Sequence, residues 1–245
     1  MKENKYDDPE FFENYSHMPR SVEGLKAAGE WEEFRGMLPD LNNKRVLDLG
    51  CGFGWHCRYV REHNARSVVG VDLSENMLAR ARAMTEDPHI RYYRLAIEDI
   101  DFAEGEFDLV ISSLALHYVE AFESICRKIH HYLVPGGGFV FPVEHPVFTA
   151  MEGQDWYYGP DGEKLHWPLD RYHQEGSREA IFLDNKVIKY HRTLATQLNT
   201  LIGSGFTIRR VSELKPKPEQ IDTDPSWQEA YRRPIFLLIA AEKPL

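Results

Sequence analysis

Cysteine is scarce in this chain of 245 residues: there are three, Cys51, Cys57 and Cys126. An odd number, in a chain long enough to need no staples, argues against a disulfide framework. Long apolar runs are missing as well. The longest, Ile235 to Ala241, is seven residues, far short of the roughly 20 that span a bilayer. The N-terminal stretch MKENKYDDPEFFENY is polar and acidic and holds no apolar segment that could serve as a signal peptide. Positive charge is in deficit, with 29 Lys and Arg against 39 Asp and Glu and a formal net charge of −10. That disfavours non-specific polyanion binding, which rests on clustered cations neutralising phosphates. No internal repeat, low-complexity tract or obvious linker is present. The expectation is a soluble, cytoplasmic protein of one domain, with no membrane and no nucleic-acid partner.

What is present is core-forming material. Hydrophobic residues make up 42% and aromatic residues 12%, enough for a packed interior. Short apolar runs alternate with amphipathic stretches. Strands are predicted at Arg45–Gly50, Ser67–Asp72, Ile90–Leu95, Phe107–Ser112 and Gly138–Val143. Helices are predicted from Trp55 to Asn64, from an N-cap at Ser74 to about Thr85, and from about Glu120 to Leu133, where Pro135-Gly-Gly-Gly138 breaks the pattern. Such alternation implies βαβ units and a doubly wound, mostly parallel α/β sheet. Residues 1–40 read as a helical segment, with Asp8-Pro9 as a cap followed by a first-turn proline. Residues 41–145 form the core, 146–190 a loop-like insertion, and 191–245 a helix near Thr193–Ile202 and strands near Phe206–Glu213 and Pro234–Ala241. The acidity is uneven: residues 1–145 carry 16 basic and 25 acidic side chains, the remainder 13 and 14.

In open α/β sheets the ligand lies beyond the carboxyl ends of the strands. Gly50-Cys-Gly-Phe-Gly54 occupies that position after the first strand, where glycines allow a tight turn and bring bare backbone to a ligand. Asp72 ends the second strand, at a spacing that suits a carboxylate accepting from both ribose hydroxyls. Turn-making glycines and a helix-capping acid are the plainer explanation for each feature alone; strand, loop, helix and strand-end acid together favour a nucleoside site. A dinucleotide fingerprint needs a third glycine where this chain has Trp55, which weighs against NAD, FAD and NADP. There is no G-x-x-x-x-G-K-[ST] loop for a triphosphate, and no zinc motif includes Cys51 or Cys57.

Val46-Leu-Asp-Leu-Gly-Cys-Gly-Phe-Gly54 closely resembles the first motif of class I S-adenosylmethionine-dependent methyltransferases. Val71-Asp-Leu-Ser-Glu-Asn-Met-Leu78, Phe107-Asp-Leu-Val-Ile-Ser112 and Leu133-Val-Pro-Gly-Gly-Gly138 resemble the later motifs, in order and spacing. The resemblance covers about residues 45–143. It implies a Rossmann-like, seven-stranded sheet whose last strand runs antiparallel, with S-adenosylmethionine as cofactor and S-adenosylhomocysteine as product. It places Asp48, Gly50, Gly52 and Gly54 at the methionine portion and Asp72 on the ribose. Leu73 and Met77 would sit beside the adenine, Ala96, Ile97 and Glu98 at its edge, and Ser113 near the sulfonium. Many relatives have an acid at the position of Ala96, which leaves adenine recognition here to Glu98 or to backbone. Gly-Glu-Trp31, Ser113-Leu-Ala-Leu-His-Tyr118, Val143-Glu-His-Pro-Val-Phe-Thr149, Tyr190-His-Arg-Thr193 and Tyr231-Arg-Arg-Pro234 look like a bacterial subgroup of unassigned substrate. Tyr15 and Arg20 are candidates to fold over the cofactor.

Methyl transfer from a sulfonium is an in-line displacement that positioning alone favours by up to roughly 7–11 kcal/mol; a general base adds about 10²–10⁴-fold when the acceptor is protonated. His145 and His117, beyond the fifth and fourth strands, are the candidate bases. Glu144 is read as orienting His145 or a loop amide. His191-Arg192 and Arg232-Arg233 are candidates to hold a substrate anion, with solvated surface the plainer reading of each pair. Residues 148–190 hold eight aromatics in 43 positions, which reads as a lid enclosing a small acceptor, or else as a satellite core under a long insertion. The [DN]-P-P-[YF] motif of base-amine methylation is absent after strand four, where Ser112-Ser-Leu-Ala115 stands. The expectation is transfer of a methyl group to a small organic acceptor at oxygen, nitrogen or carbon. A non-catalytic cofactor-binding regulator is the alternative.

Overall fold

The computed structural model describes residues 4–223 and 225–245. Three short helices open it: α1 (Pro9–Ser16), α2 (Pro19–Val22) and α3 (Trp31–Met37). The Asp8 carboxylate accepts from the Glu10 and Phe11 amides and Pro9 takes the first turn, so the expected cap is formed. The apolar stripe from Gly24 to Leu38 is broken into a 3₁₀ turn, Gly24–Ala27, and α3.

The core then alternates strand and helix: β1 (Arg45–Leu49), α4 (Trp55–Glu62), β2 (Ser67–Asp72), α5 (Glu75–Ala83), β3 (Ile90–Arg94), β4 (Phe107–Ile111), α6 (Phe122–Tyr132) and β5 (Leu133–Glu144). The insertion contributes α7 (Pro146–Thr149), the short pair β6 (Tyr157–Tyr158) and β7 (Lys164–His166), and the hairpin β8 (Gly176–Phe182) and β9 (Asn185–His191). The chain ends with α8 (Leu194–Gly203), β10 (Thr207–Glu213), α9 (Pro218–Thr223) and β11 (Phe236–Glu242).

The central sheet runs β10-β11-β5-β4-β1-β2-β3, with β11 antiparallel to both neighbours and the core strands parallel. Strand alternation buries both faces. On β11, Leu237, Ile239 and Ala241 join the cluster beneath α6 and α8, whereas Leu238 and Ala240 join the one beneath α3, α4 and α5. Helices therefore cover both sides, as the doubly wound reading expects. β1 and β4 are neighbours and the chain turns opposite ways from them, which opens a crevice at their carboxyl ends.

Two expectations need correction. β5 begins at Leu133, not Gly138: Gly136 donates to the Lys243 carbonyl and Gly137 accepts from the Lys243 amide, so the Pro-Gly-Gly-Gly stretch is already laddered to the C-terminal chain. The pairing jumps from Phe107↔Leu133 to Leu109↔Gly138, a bulge that the glycines accommodate. The insertion is not loop-like throughout, since β8 and β9 form a seven-residue hairpin closed by Leu183-Asp184, both with positive φ. That is the geometry of a type I′ turn, made without glycine.

The N-terminal segment and this hairpin meet. Phe11, fully buried, packs with Ala180 and Val187, and Tyr6, Tyr118 and Phe182 close the cluster. Together they roof the crevice. Among the described residues no helix is long and apolar enough to cross a membrane.

Candidate active site

The crevice is a cavity of about 440 Å³ bounded by the glycine loop, the ends of β2, β4 and β5, the N-terminal segment and the β8–β9 hairpin. Its first half is built on the glycine loop. Gly50, Gly52 and Gly54 all have positive φ (72°, 53° and 71°). The Gly50 and Cys51 amides both donate to the Val71 carbonyl at 2.9 Å, and Gly54 donates to Cys51. These bonds fold the loop over the end of β2. A Cβ on Gly50 would overlap that of Ala115, and one on Gly54 would overlap the Tyr92 hydroxyl, so neither position has room for a side chain.

Asp72 ends β2 with its carboxylate in the cavity wall. One oxygen accepts from the Gly52 amide and the other from the Ser74 amide, each at 2.9 Å. Each carboxylate oxygen has two lone pairs, so these bonds leave acceptor capacity on Asp72 unused. Burial pushes the Asp72 pKa up, against the pull of these amides. Leu73, Met77, Ala96, Ile97 and Glu98 line the wall beside it, and Ser113 follows β4 on the far side. An apolar slot next to a two-donor carboxylate, in a loop stripped of side chains, fits adenosine carrying a methionine-type tail.

Trp55, which weighed against a dinucleotide, now has a structural role. Its indole packs beneath Gly24, where an added Cβ would come within 2.7 Å of the ring, and the Arg58 guanidinium stacks over it at 4.6 Å. Trp55 thereby seats the N-terminal segment on the cofactor half. Tyr15 and Arg20 reach the cavity from that segment, and Arg20 is ion-paired to the buried Glu30. Asp48 and Gly54 are not on the wall. Asp48 lies beneath the loop, where Oδ2 accepts from the Cys57 thiol at 3.2 Å, Oδ1 has no partner, and burial raises its pKa to about 7.

The second half is lined by His117, Glu144, Gln154 and Lys189 with Phe148, Phe182 and Phe236. Lys189, 2% exposed, donates to Glu144 Oε1 at 2.6 Å and to Gln154 Oε1 at 3.1 Å. Gln154 donates in turn to Glu144 Oε2 at 3.2 Å, which closes the ring. Burial alone would raise the Glu144 pKa, but His117, the Lys189 ammonium and the Gln154 amide outweigh it and hold the carboxyl below its usual value. His117 is buried in the wall with Nδ1 unpartnered. Burial lowers its pKa to about 4 against the opposing effect of Glu144, so the imidazole is neutral at physiological pH.

His145 stands apart from this group. Its Nδ1 accepts from the Val147 amide at 3.0 Å, capping α7, which leaves the proton on Nε2 to be donated to Glu213 at 2.9 Å. Both nitrogens of His145 are engaged and it is not on the cavity wall, and Glu144 pairs with Lys189 instead of with it. Arg232 is exposed, as a solvated surface reading expects, but His191 and Arg233 are set deeper. His191 is fully buried between the Thr149 hydroxyl and the Tyr172 carbonyl. Arg233 lies among Phe148, Trp156 and Trp167.

The aromatics of the insertion divide accordingly. Phe148 and Phe182 line the cavity, Trp156 and Trp167 form a satellite core, and Tyr157 and Tyr158 are exposed. Lys189 and Gln154 were missed because each is a lone polar residue in a segment read as loop. The one available signal was the alternation of Val187, Lys189 and His191 along β9, which buries all three.

Comparison with known proteins agrees with this geometry. Residues 47–141 match the family described as a methyltransferase domain. A solved S-adenosylmethionine-dependent methyltransferase from Mesorhizobium loti is 47% identical, with a TM-score of 0.85 over 89% of this chain and 100% of that one. A structure from Listeria monocytogenes is 53% identical, with a TM-score of 0.86 over 91% of this chain and all of the other. A Haemophilus influenzae protein is 33% identical over 97% of this chain and 96% of its own length. Likeness of this extent, on a loop and strand-end acid arranged as described, means that the chain belongs to the class I S-adenosylmethionine-dependent methyltransferases and uses S-adenosylmethionine as its cofactor.

Proposed function

We propose that the chain methylates a small organic acceptor held in the half of the cavity between His117, the Glu144–Lys189 pair and Phe182. The observation that carries this reading is the His117 imidazole buried in the wall of a roofed cavity whose other half fits the cofactor. Bound S-adenosylmethionine supplies a methyl group on a cationic sulfur with a thioether as leaving group. The chain supplies binding and alignment. Asp72 accepts from the ribose hydroxyls, Leu73, Met77 and Ala96 to Glu98 enclose the adenine, and the backbone of Gly50 and Gly52 lies along the methionine portion. Gly54 and Asp48 support that loop from behind.

On the acceptor side, His117 accepts a hydrogen bond from the O–H or N–H of the acceptor, which fixes the attacking atom; a pKa lowered to about 4 makes it a weak base, so positioning is the larger part of its role. The N-terminal segment and the β8–β9 hairpin act as the lid that excludes water. Most of the rate enhancement then comes from alignment, and loss of His117 costs at most about 10²–10⁴-fold.

A screen of candidate acceptors for release of S-adenosylhomocysteine tests the reading. Turnover with a small molecule, reduced in His117→Asn at unchanged cofactor affinity, is the expected result. Cofactor binding with no product from any acceptor would instead indicate a non-catalytic regulator.

A further inference from the structure

The acceptor half of the cavity has a charge pattern that selects among acceptors. We infer that the acceptor is an uncharged, largely apolar molecule with one hydrogen-bond donor, and that the closed Lys189–Glu144–Gln154 ring discriminates against both anions and cations. This rests on the reading that methyl transfer occurs in this cavity.

The inference follows from how each element around the acceptor half is charged. The end of β4 contributes Ser113, Leu114 and Ala115, and the turn after it His117 and Tyr118. The end of β5 contributes Glu144, the insertion Phe148 and Gln154, the hairpin Ile181, Phe182 and Lys189, and the start of β11 Ile235 and Phe236. From the N-terminal segment come Tyr6, Tyr15 and Arg20, the last already paired with Glu30. Glu144 and Lys189 are thus the ionised groups on the acceptor side itself, and they are spent on each other at 2.6 Å, with Gln154 bonded to both.

A charged acceptor would shed its water and meet no free counter-charge, which is unfavourable in a buried site. It would also have to open the ring. An uncharged acceptor loses little: phenylalanine rings receive its body, and a ring nitrogen of His117 accepts its one donor. The pair has a second consequence. Removing either partner leaves the other as a buried, uncompensated charge, and that should invert the preference of the site in a direction set by which partner is removed.

The experiment loads the protein with S-adenosylhomocysteine and measures binding of matched ring compounds by calorimetry. The probes are p-cresol, benzoate and benzylammonium, each with its two-ring analogue. In the wild type the neutral member should bind at least about tenfold more tightly than either ion. Glu144→Gln should raise benzoate affinity relative to p-cresol by about tenfold, and Lys189→Met should do the same for benzylammonium. The inference is overturned if an ion of either ring size binds the wild type as tightly as its neutral counterpart, if no neutral member binds, or if folded variants leave the ratios unchanged. Where a variant fails to fold, the wild-type series decides. The initial S-adenosylhomocysteine titration keeps the two readings separate, because its failure would count against the cofactor assignment and not against acceptor charge.

Discussion

The carboxylate of Asp7 accepts a hydrogen bond from the Ser74 hydroxyl at 2.5 Å, joining residues 67 apart in sequence. Ser74 is the N-cap of α5 and follows Asp72 by two positions, so the bond ties the N-terminal segment to the rim of the cofactor cradle. Asp7 also accepts from the Asn76 amide at 3.1 Å and pairs with Arg94 at 3.3 Å. The neighbouring Tyr6 ring closes the roof against Phe11 and Tyr15.

Asp7→Ala removes this clasp. Hydrogen bonds to a charged group contribute about 1.5–3 kcal/mol. If the segment covers bound cofactor, as proposed above, S-adenosylhomocysteine affinity should fall by about tenfold, and hydrogen exchange in residues 4–28 should quicken. The pH dependence has a defined sign. Burial acts to raise the Asp7 pKa, but Ser74, Asn4 and the α5 amides outweigh it and hold the group below the ordinary carboxylate value. A carboxylate depressed in the folded state contributes above its unfolded pKa of about 3.9 and loses that contribution as pH falls through the folded value. The affinity difference between wild type and Asp7→Ala should therefore be constant from about pH 5 upward and vanish in stronger acid.

A second prediction contrasts two glycines. Gly50 has φ of 72° and its missing Cβ would overlap the Cβ of Ala115, an atom that cannot swing aside. Gly50→Ala should destabilise the fold by about 2–4 kcal/mol and abolish S-adenosylhomocysteine binding in calorimetry. Gly36 lies within α3 with nothing within 4 Å of a built Cβ. Gly36→Ala should instead stabilise by about 0.5–1 kcal/mol and leave binding unchanged. Thermal melts of the two variants, run side by side, check both halves.

Most of the sheet was legible in the sequence because β1, β2 and β4 are short apolar runs bounded by glycine or a charged residue, and burial of both faces makes that pattern nearly continuous. Asp72 was legible for the same reason: it is the first charge after Val68-Val-Gly-Val71. The Asp8 cap followed from its proline. The acceptor half was much less legible. Its residues come from elements scattered along the chain, and no local pattern joins Glu144 on β5 to Lys189 on β9. The β8–β9 hairpin was hidden because its turn, Leu183-Asp184, takes positive φ without glycine. His145 misled because its position after β5 is right for a base, and only the bonds to Val147 and Glu213 show that its nitrogens are occupied.

Arg233 gives the last prediction. Its guanidinium sits 4.3 Å from the centre of the Trp167 ring, 4.8 Å from Phe148 and 5.4 Å from Trp156, with Nη2 3.9 Å from Glu229 and with Nε and Nη1 buried and unpartnered among the described residues. The Trp167 indole donates to the Val147 carbonyl at 3.1 Å, and Phe148, next in sequence, lines the cavity. The cluster therefore fixes one wall of the acceptor half from behind. A planar, weakly hydrated guanidinium can lie against three rings, whereas a lysine ammonium is compact, strongly hydrated and makes no stack. Arg233→Lys should lose the cation–π contribution, about 1–2 kcal/mol, and bury a charge with no better partner. Arg233→Met keeps much of the volume and leaves no charge to desolvate. The conservative replacement should thus be the more damaging one: the melting temperature should fall further for Arg233→Lys than for Arg233→Met. In an acceptor assay both variants should raise the acceptor KM while leaving S-adenosylhomocysteine affinity near the wild-type value, since Phe148 stands on the acceptor side of the cavity and the Asp72 cradle on the other.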